Sequence, residues 1–177
     1  NYSNKNEIVP LLTKYMDIIL NTVEKDTKGI IHTGSYEITR MIMEMSNNKS
    51  RLISYSGSAE KKLALEELER SDNGILIGPS LLEGLDLKDD LSRFQVFFKV
   101  PYSSLADPLV KAKLSRSQSW YEYDTTIKVL QGIGRSIRSE DDWARTYLMD
   151  SNFLRVLKSQ NLPQHIVSRY ASMNDLL

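Results

Sequence analysis

The chain has 177 residues, 23 Lys and Arg balanced by 23 Asp and Glu, and no cysteine. That length buries one substantial core and reads most simply as a single domain, while the missing cysteine excludes disulfides and thiolate-held metals. Zero net charge means that no global basic field advertises a nucleic-acid partner, so any such contact has to come from local patches. No run reaches the apolar length of a membrane span and no signal peptide opens the chain, which predicts an intracellular protein with no membrane partner. The first residue is Asn1 rather than Met, which predicts a piece of a longer polypeptide.

In chain order, Glu7 to Lys25 carries Ile8, Leu11, Leu12, Tyr15, Ile18, Ile19 and Val23 at helical spacing, with Pro10 tolerable only near the first turn. Ile30 to Thr33 is a short β-rich run leading into Gly34-Ser35-Tyr36, and Ser35 is placed to cap a helix built on Ile38, Met41, Ile42 and Met45. Arg51 to Tyr55 reads as the next strand, with Ser58 as cap of a helix to about Arg70. Gly74 to Ile77 is apolar without alternation, as expected of a strand buried on both faces of a parallel sheet. It leads into Gly78 to Asp86. Phe94 to Val100 is a fourth strand, ended by Pro101, and Tyr102 to Gln118 reads as irregular. A helix is predicted from about Trp120 through residue 138, then a strand at Ala144 to Met149 and closing helices at Ser151 to Lys158 and Pro163 to Tyr170.

Strands alternating with helices predict an α/β fold, a mainly parallel sheet with helices on both faces. Ligands of such sheets bind beyond the carboxyl ends of the strands, so Gly34 to Tyr36, Gly78 to Asp86 and the loop after Pro101 are expected to line one rim. The densest chemistry lies in Gln131-Gly132-Ile133-Gly134-Arg135-Ser136-Ile137-Arg138, followed by the acids Glu140, Asp141 and Asp142. On a helix, Gln131, Arg135 and Arg138 share a face. Two permanently charged guanidiniums beside small glycines make an anion-facing stripe suited to phosphate, and a solvated basic helix face accounts for the same pattern. Gly132-Ile133-Gly134 lacks a third glycine and follows a helix, so it is a poor dinucleotide fingerprint. His32 and His165 have no ligand partners at metal spacing and read as structural.

Taken together, these segments resemble the second RecA-like motor domain of superfamily-two DNA helicases of the XPD/DinG type. Gln131, Gly134, Arg135 and Arg138 with the trailing acids are similar to that family's motif VI. Glu83-Gly84-Leu85-Asp86 is similar to its motif V, and Ser35-Tyr36 resembles the end of motif IV. Val100-Pro101 and Asp107-Pro108 resemble pairs found between motifs V and VI. The resemblance runs from about Gly29 to Phe153. It implies a RecA-like fold and the second half of a motor in which ATP with Mg2+ is held mainly by a first RecA-like domain of the same protein. There is no phosphate loop and no Asp-Glu-x-His motif here, and an iron–sulfur cluster would belong only to a part outside this chain.

The resemblance further implies roles for individual residues. Arg138 is the expected arginine finger, Arg135 a phosphate partner and Gln131 a residue that orients water or senses the γ-phosphate, with Glu83, Gly84 and Asp86 beside the ATP. Ser35, Tyr36, Ser80, Lys111 and Lys113 would follow single-stranded DNA through its backbone. A cytoplasmic protein, nucleoid-associated if bacterial, is implied. Several alternatives stay open on the residues alone. Arg135 can instead pair internally with Glu83 or Asp86, and Glu83 and Asp86 can belong to a solvated turn. Tyr36 can pack in the core behind an ordinary cap, and the lysines can be plain surface. At the level of the whole chain, a helicase-shaped docking module without catalysis is the rival to a motor domain, with a nucleotide-using small-molecule enzyme third.

Overall fold

The computed structural model describes residues 4–79, 81, 87, 89–137 and 142–158. Five strands form one parallel sheet: β1 (Gly29–His32), β2 (Leu52–Ser54), β3 (Ile75–Gly78), β4 (Phe94–Phe97) and β5 (Arg145–Leu148), in the order β2-β3-β1-β4-β5. The register sets Ile31 beside Ile77 and Val96, and Ile30 beside Leu76 and Gln95. Because side chains alternate along a strand, each register row belongs to one face of the sheet.

On one face, Ile31, Ile77, Val96 and Phe94 pack with Met16 and Leu20 of α1 (Lys5–Thr22) and Ile38 and Ile42 of α2 (Tyr36–Met45). On the other, Ile30, Leu76 and Ile53 pack with Ala64 and Leu68 of α3 (Ser58–Arg70). Strands covered on both sides need no polar alternation, which is why 75–77 is uniformly apolar. The fold is the α/β arrangement that the pattern predicts, a parallel sheet with helices on both faces.

The chain packs as two compact units, Asn1–Lys99 with Leu130–Asp150, and Val100–Val129 with Ser151–Leu177. The sheet belongs to the first. The second contains α4 (Pro108–Arg116), the start of α5 (Gln118–Ile133) and α6 (Phe153–Lys158). The segment read as irregular from the sequence therefore holds a helix. Its start is legible in retrospect: Asp107 accepts from the Leu109 amide at 2.8 Å, and Pro108 sits where its missing N–H costs nothing. Within that unit Ser103 donates to Asp124 at 2.7 Å and Tyr121 to the Ser103 carbonyl at 2.8 Å, while Lys113 lies over the Trp120 ring at 4.8 Å.

Local starts and stops differ from the sequence pattern in three other places. Gly57, not Ser58, is the N-cap of α3, and Glu60 reaches back to accept from the Ser56 amide at 2.8 Å. Helix α1 begins at Lys5, which moves Pro10 out of the first turn. Most consequentially, α5 ends at Ile133; Gly134–Ser136 forms a 3₁₀ turn and Ile137 is extended. The closing helix expected at Pro163 to Tyr170 lies outside the described residues. Among the described residues, no helix is long and apolar enough to cross a membrane.

The amino ends of the strands are tied together by buried charge. Arg51 donates to the carbonyls of Leu20, Glu24, Thr27 and Asn73 at 2.8–3.0 Å. Glu24 is fully buried and accepts from Thr27, Tyr147 and Arg145. Asp17 gathers the Ser46 hydroxyl, the Asn47 amide and the Asn48 carboxamide. Each ion is satisfied by several partners, the condition under which burying charge is tolerable. An Arg51→Met substitution strands carbonyls from three segments, so urea unfolding is expected to show a loss of about 3 kcal/mol; an unchanged midpoint would mean that water replaces the guanidinium at no cost.

Candidate functional site

The loop after β1 is built by short polar side chains. Gly34 has φ of 78°, a conformation glycine adopts without strain, and it turns the chain so that Ser35 caps α2 by accepting from the Ile38 amide at 3.2 Å. Beneath it the Thr33 and Thr39 hydroxyls lie 2.8 Å apart and within 3.2 and 3.1 Å of the Ser35 carbonyl; with one hydrogen each, one threonine donates to the other and that one donates to the carbonyl. The Thr33 amide donates to the Gly78 carbonyl at 3.1 Å, which brings the ends of β1 and β3 to one rim as expected. Tyr36 is 48% exposed, so its ring is not a core side chain; it meets the Tyr55 ring edge-on at 6.3 Å. A Cβ at position 78 would overlap the Tyr55 ring, so a glycine there leaves room for the tyrosine that steadies Tyr36. Lys99, half-buried beside Gly34, has its ammonium pushed below the usual lysine range by burial, with Asp150 opposing.

The arginine-bearing segment lies against the face of the sheet that carries Gln95. Gln95 is buried in β4, and its carboxamide donates to the Ile133 carbonyl at 3.1 Å and to the Thr146 hydroxyl at 3.0 Å. Its Oε1 faces His32 Nε2 at 3.3 Å. Three residues further along the segment, the buried Ser136 hydroxyl meets Ser92 at 2.6 Å, and Ser92 in turn donates to the Phe94 carbonyl at 3.2 Å. Arg135 is held between these two points. Past the segment, Asp142 accepts from Arg93 at 2.7 Å and from the Trp143 amide at 2.9 Å, with the guanidiniums of Arg93 and Arg145 over the Trp143 ring at 5.2 and 5.0 Å. Of the three trailing acids, Asp142 is thus a structural anchor.

The helicase C-terminal domain family matches residues 19–169. The chain belongs to that family. Among curated proteins it is 27% identical over 150 residues to the ATP-dependent DNA helicase YoaA of Haemophilus influenzae, covering 78% of this chain and 23% of the relative. It is 34% identical over 97 residues to the regulator of telomere elongation helicase 1 homolog of Drosophila melanogaster, covering 48% of this chain and 10% of that one. The chain therefore spans about a quarter or less of these relatives. Among solved structures, S. tokodaii Xpd4 matches 93% of this chain and 35% of its own at a TM-score of 0.69 and 17% identity. An XPD helicase matches 85% and 30% at 0.58 and 21%. These last two likenesses show the fold, the RecA-like one of XPD helicases.

In this helicase C-terminal domain, the predicted site residues fall into separate places. Ser35 and Tyr36 stand beyond the carboxyl end of β1, whereas Gln131, exposed, and Arg135, half-buried, belong to the segment fastened across β4. The single helix predicted to carry Gln131 and Arg135 on one face does not form, because α5 stops two residues short of Arg135 and Ile137 is extended. Lys111 and Lys113 are exposed on α4 in the second compact unit. Ser80, Glu83, Gly84, Asp86 and Arg138 lie outside the described residues, as do Glu140, Asp141 and His165. The fastening residues Ser92, Gln95 and Ser136 carry no motif. Their one sequence signal is a glutamine inside the otherwise apolar Phe94-Gln95-Val96-Phe97.

His32 is structural, as expected, and strongly perturbed. Its ring is buried and stacks on Phe97 at 4.3 Å, and burial pushes the imidazole down to about 4, the bond to Gln95 only partly opposing. A histidine held neutral in the fold contributes stability that is fully present above the unfolded value near pH 6.5 and is lost as pH falls toward about 4. The unfolding free energy of this chain is expected to drop across that window by about 3 kcal/mol more than that of a His32→Asn variant. Urea titrations at a series of pH values check this, and parallel pH profiles would show that the folded imidazole becomes the imidazolium as readily as the unfolded one.

Proposed function

We propose that this chain is the second motor domain of an ATP-dependent DNA helicase, completing an ATP site with a first motor domain of the same polypeptide. The observation that carries the reading is the fastening of the Gln131–Ile137 segment onto the sheet of a helicase C-terminal domain, with Arg135 between two buried anchors. Phosphoryl transfer asks little covalent chemistry of the protein, so fixed positive charge around the transferred group is the main contribution it can make. In this reading Arg138 meets the γ-phosphate as the finger, Arg135 pairs with phosphate, Gln131 orients water, and Glu83, Gly84 and Asp86 line the same cleft.

The DNA path in this reading uses the rim after β1, where Ser35 and the first amides of α2 face a phosphate and the exposed Tyr36 offers a ring. Ser80, Lys111 and Lys113 are further proposed DNA contacts, made to backbone rather than base edges. Among the described residues no group of three Asp, Glu, His or Cys comes together to hold a metal. On the strength of the family resemblance, the reading assigns Mg2+ mainly to the first motor domain and routes no step through a residue here. The relatives named as helicases support the reading, and YoaA is named ATP-dependent.

The test is DNA-stimulated ATP hydrolysis by the full-length protein beside this isolated chain. Turnover is expected only in the full-length protein. Arg138→Ala should lower it by at least about three orders of magnitude while leaving single-stranded DNA affinity within a few-fold. Near-normal turnover in Arg138→Ala would remove that residue from the finger role, and a full-length protein that binds DNA without hydrolysing ATP would favour a docking module.

A further inference from the structure

The Ile133 carbonyl ends α5, and a helix-terminal carbonyl has no partner within its own helix. It can only accept, so the group facing it across 3.1 Å is the Gln95 amide nitrogen, and the Gln95 oxygen is turned toward His32. His32 Nε2 therefore carries the proton and donates. Its Nδ1 is the bare nitrogen, buried with no hydrogen-bonding partner among the described residues. The alternative amide orientation would set an NH2 against the His32 N–H and an oxygen against the Ile133 carbonyl. The imidazole thus locks the carboxamide, and the locked carboxamide fixes where the helix ends. Thr146, on the neighbouring strand β5, takes the second amide hydrogen, so the carboxamide is held from β1 and β5 at once.

The second fastening is independent of the first. Ser92 spends its hydroxyl hydrogen on the Phe94 carbonyl, leaving its oxygen to accept from Ser136 at 2.6 Å, with both serines fully buried. Ile133 and Ser136 bracket Gly134 and Arg135. Gly134 has no neighbouring atom that a Cβ would meet, so crowding at that residue does not place the turn.

We propose that Gln95, locked by His32, and Ser92 are positioning residues that clamp the Gly134–Ser136 turn and so aim Arg135 at the transferred phosphate. This rests on the reading of Arg135 as a phosphate-facing residue. The two clamps act through that arginine and touch no substrate.

The experiment measures ATP turnover and KM of the full-length protein carrying Gln95→Met, Ser136→Ala or Arg135→Ala, and each of the first two combined with the third. Gln95→Met keeps the side-chain length and removes the amide, whereas Ser136→Ala removes one hydroxyl and leaves Ser92 its bond to Phe94. Each clamp variant is expected to lower kcat about ten- to a hundred-fold, the cost of a displacement near an ångström, with KM for ATP within about two-fold. In the Arg135→Ala background the same substitutions should change kcat by less than about two-fold, since the residue they act through is gone. A merely structural loss would instead multiply with that of Arg135→Ala, and that result, or unchanged turnover in the clamp variants, overturns the proposal. Wild-type turnover in Arg135→Ala would overturn the phosphate-facing role of Arg135 itself, a separate failure. If thermal melting shows that Gln95→Met does not fold, Ser136→Ala alone decides.

Discussion

A carboxamide set in the middle of an apolar row has no water to turn to, and every hydrogen bond it makes has to be found inside the protein. Gln95 stands level with Ile30 and Leu76 on one side and Thr146 on the other. Its three bonds reach an adjacent strand on each side and the end of a helix. Removing any partner leaves a buried polar atom unsatisfied, so the three elements are locked to one another more tightly than packing alone would make them. The path of the arginine-bearing segment depends on that requirement.

The two ends of the sheet use polar residues differently. At the amino ends, Arg51, Glu24 and Asp17 bind backbone carbonyls, amides and hydroxyls of the loops entering the strands, and their charges are consumed in doing so. At the carboxyl ends, small residues prevail: Gly34, Ser35 and Gly78 keep the rim low, the exposed ring of Tyr36 stands beside them, and the Lys99 stem packs near Gly34. One end is thus closed by internal ion binding, while the other leaves backbone amides and side chains facing outward. The asymmetry is that of open α/β sheets generally, whose ligands lie beyond the carboxyl ends.

Much of the architecture was legible because it is local. The unalternating run at 75–77, the cap at Ser35 and the strand at 145–148 each follow from a few neighbouring residues, and the motif order pointed to the helicase family. The fastening of the candidate site was not. Ser92 and Ser136 are 44 residues apart and His32 and Gln95 are 63 apart, and only the strand order makes them neighbours. The end of α5 escaped for a related reason. Gly132 and Gly134 weaken the helix locally, but the carbonyl of Ile133 accepts from a side chain on a distant strand, which no spacing rule within the segment encodes. Helix α4 was concealed by weak amphipathicity: none of its residues is buried, so there was no apolar stripe to read.

Each compact unit contains one of the two tryptophans. Trp143, in the unit with the sheet, has the guanidiniums of both Arg93 and Arg145 over its ring, while Trp120, in the other, has the Lys113 ammonium over its ring. Both indoles therefore sense a cation whose position depends on the fold around it. Replacing either tryptophan leaves a chain whose indole fluorescence reports on the surroundings of a single unit without any added label.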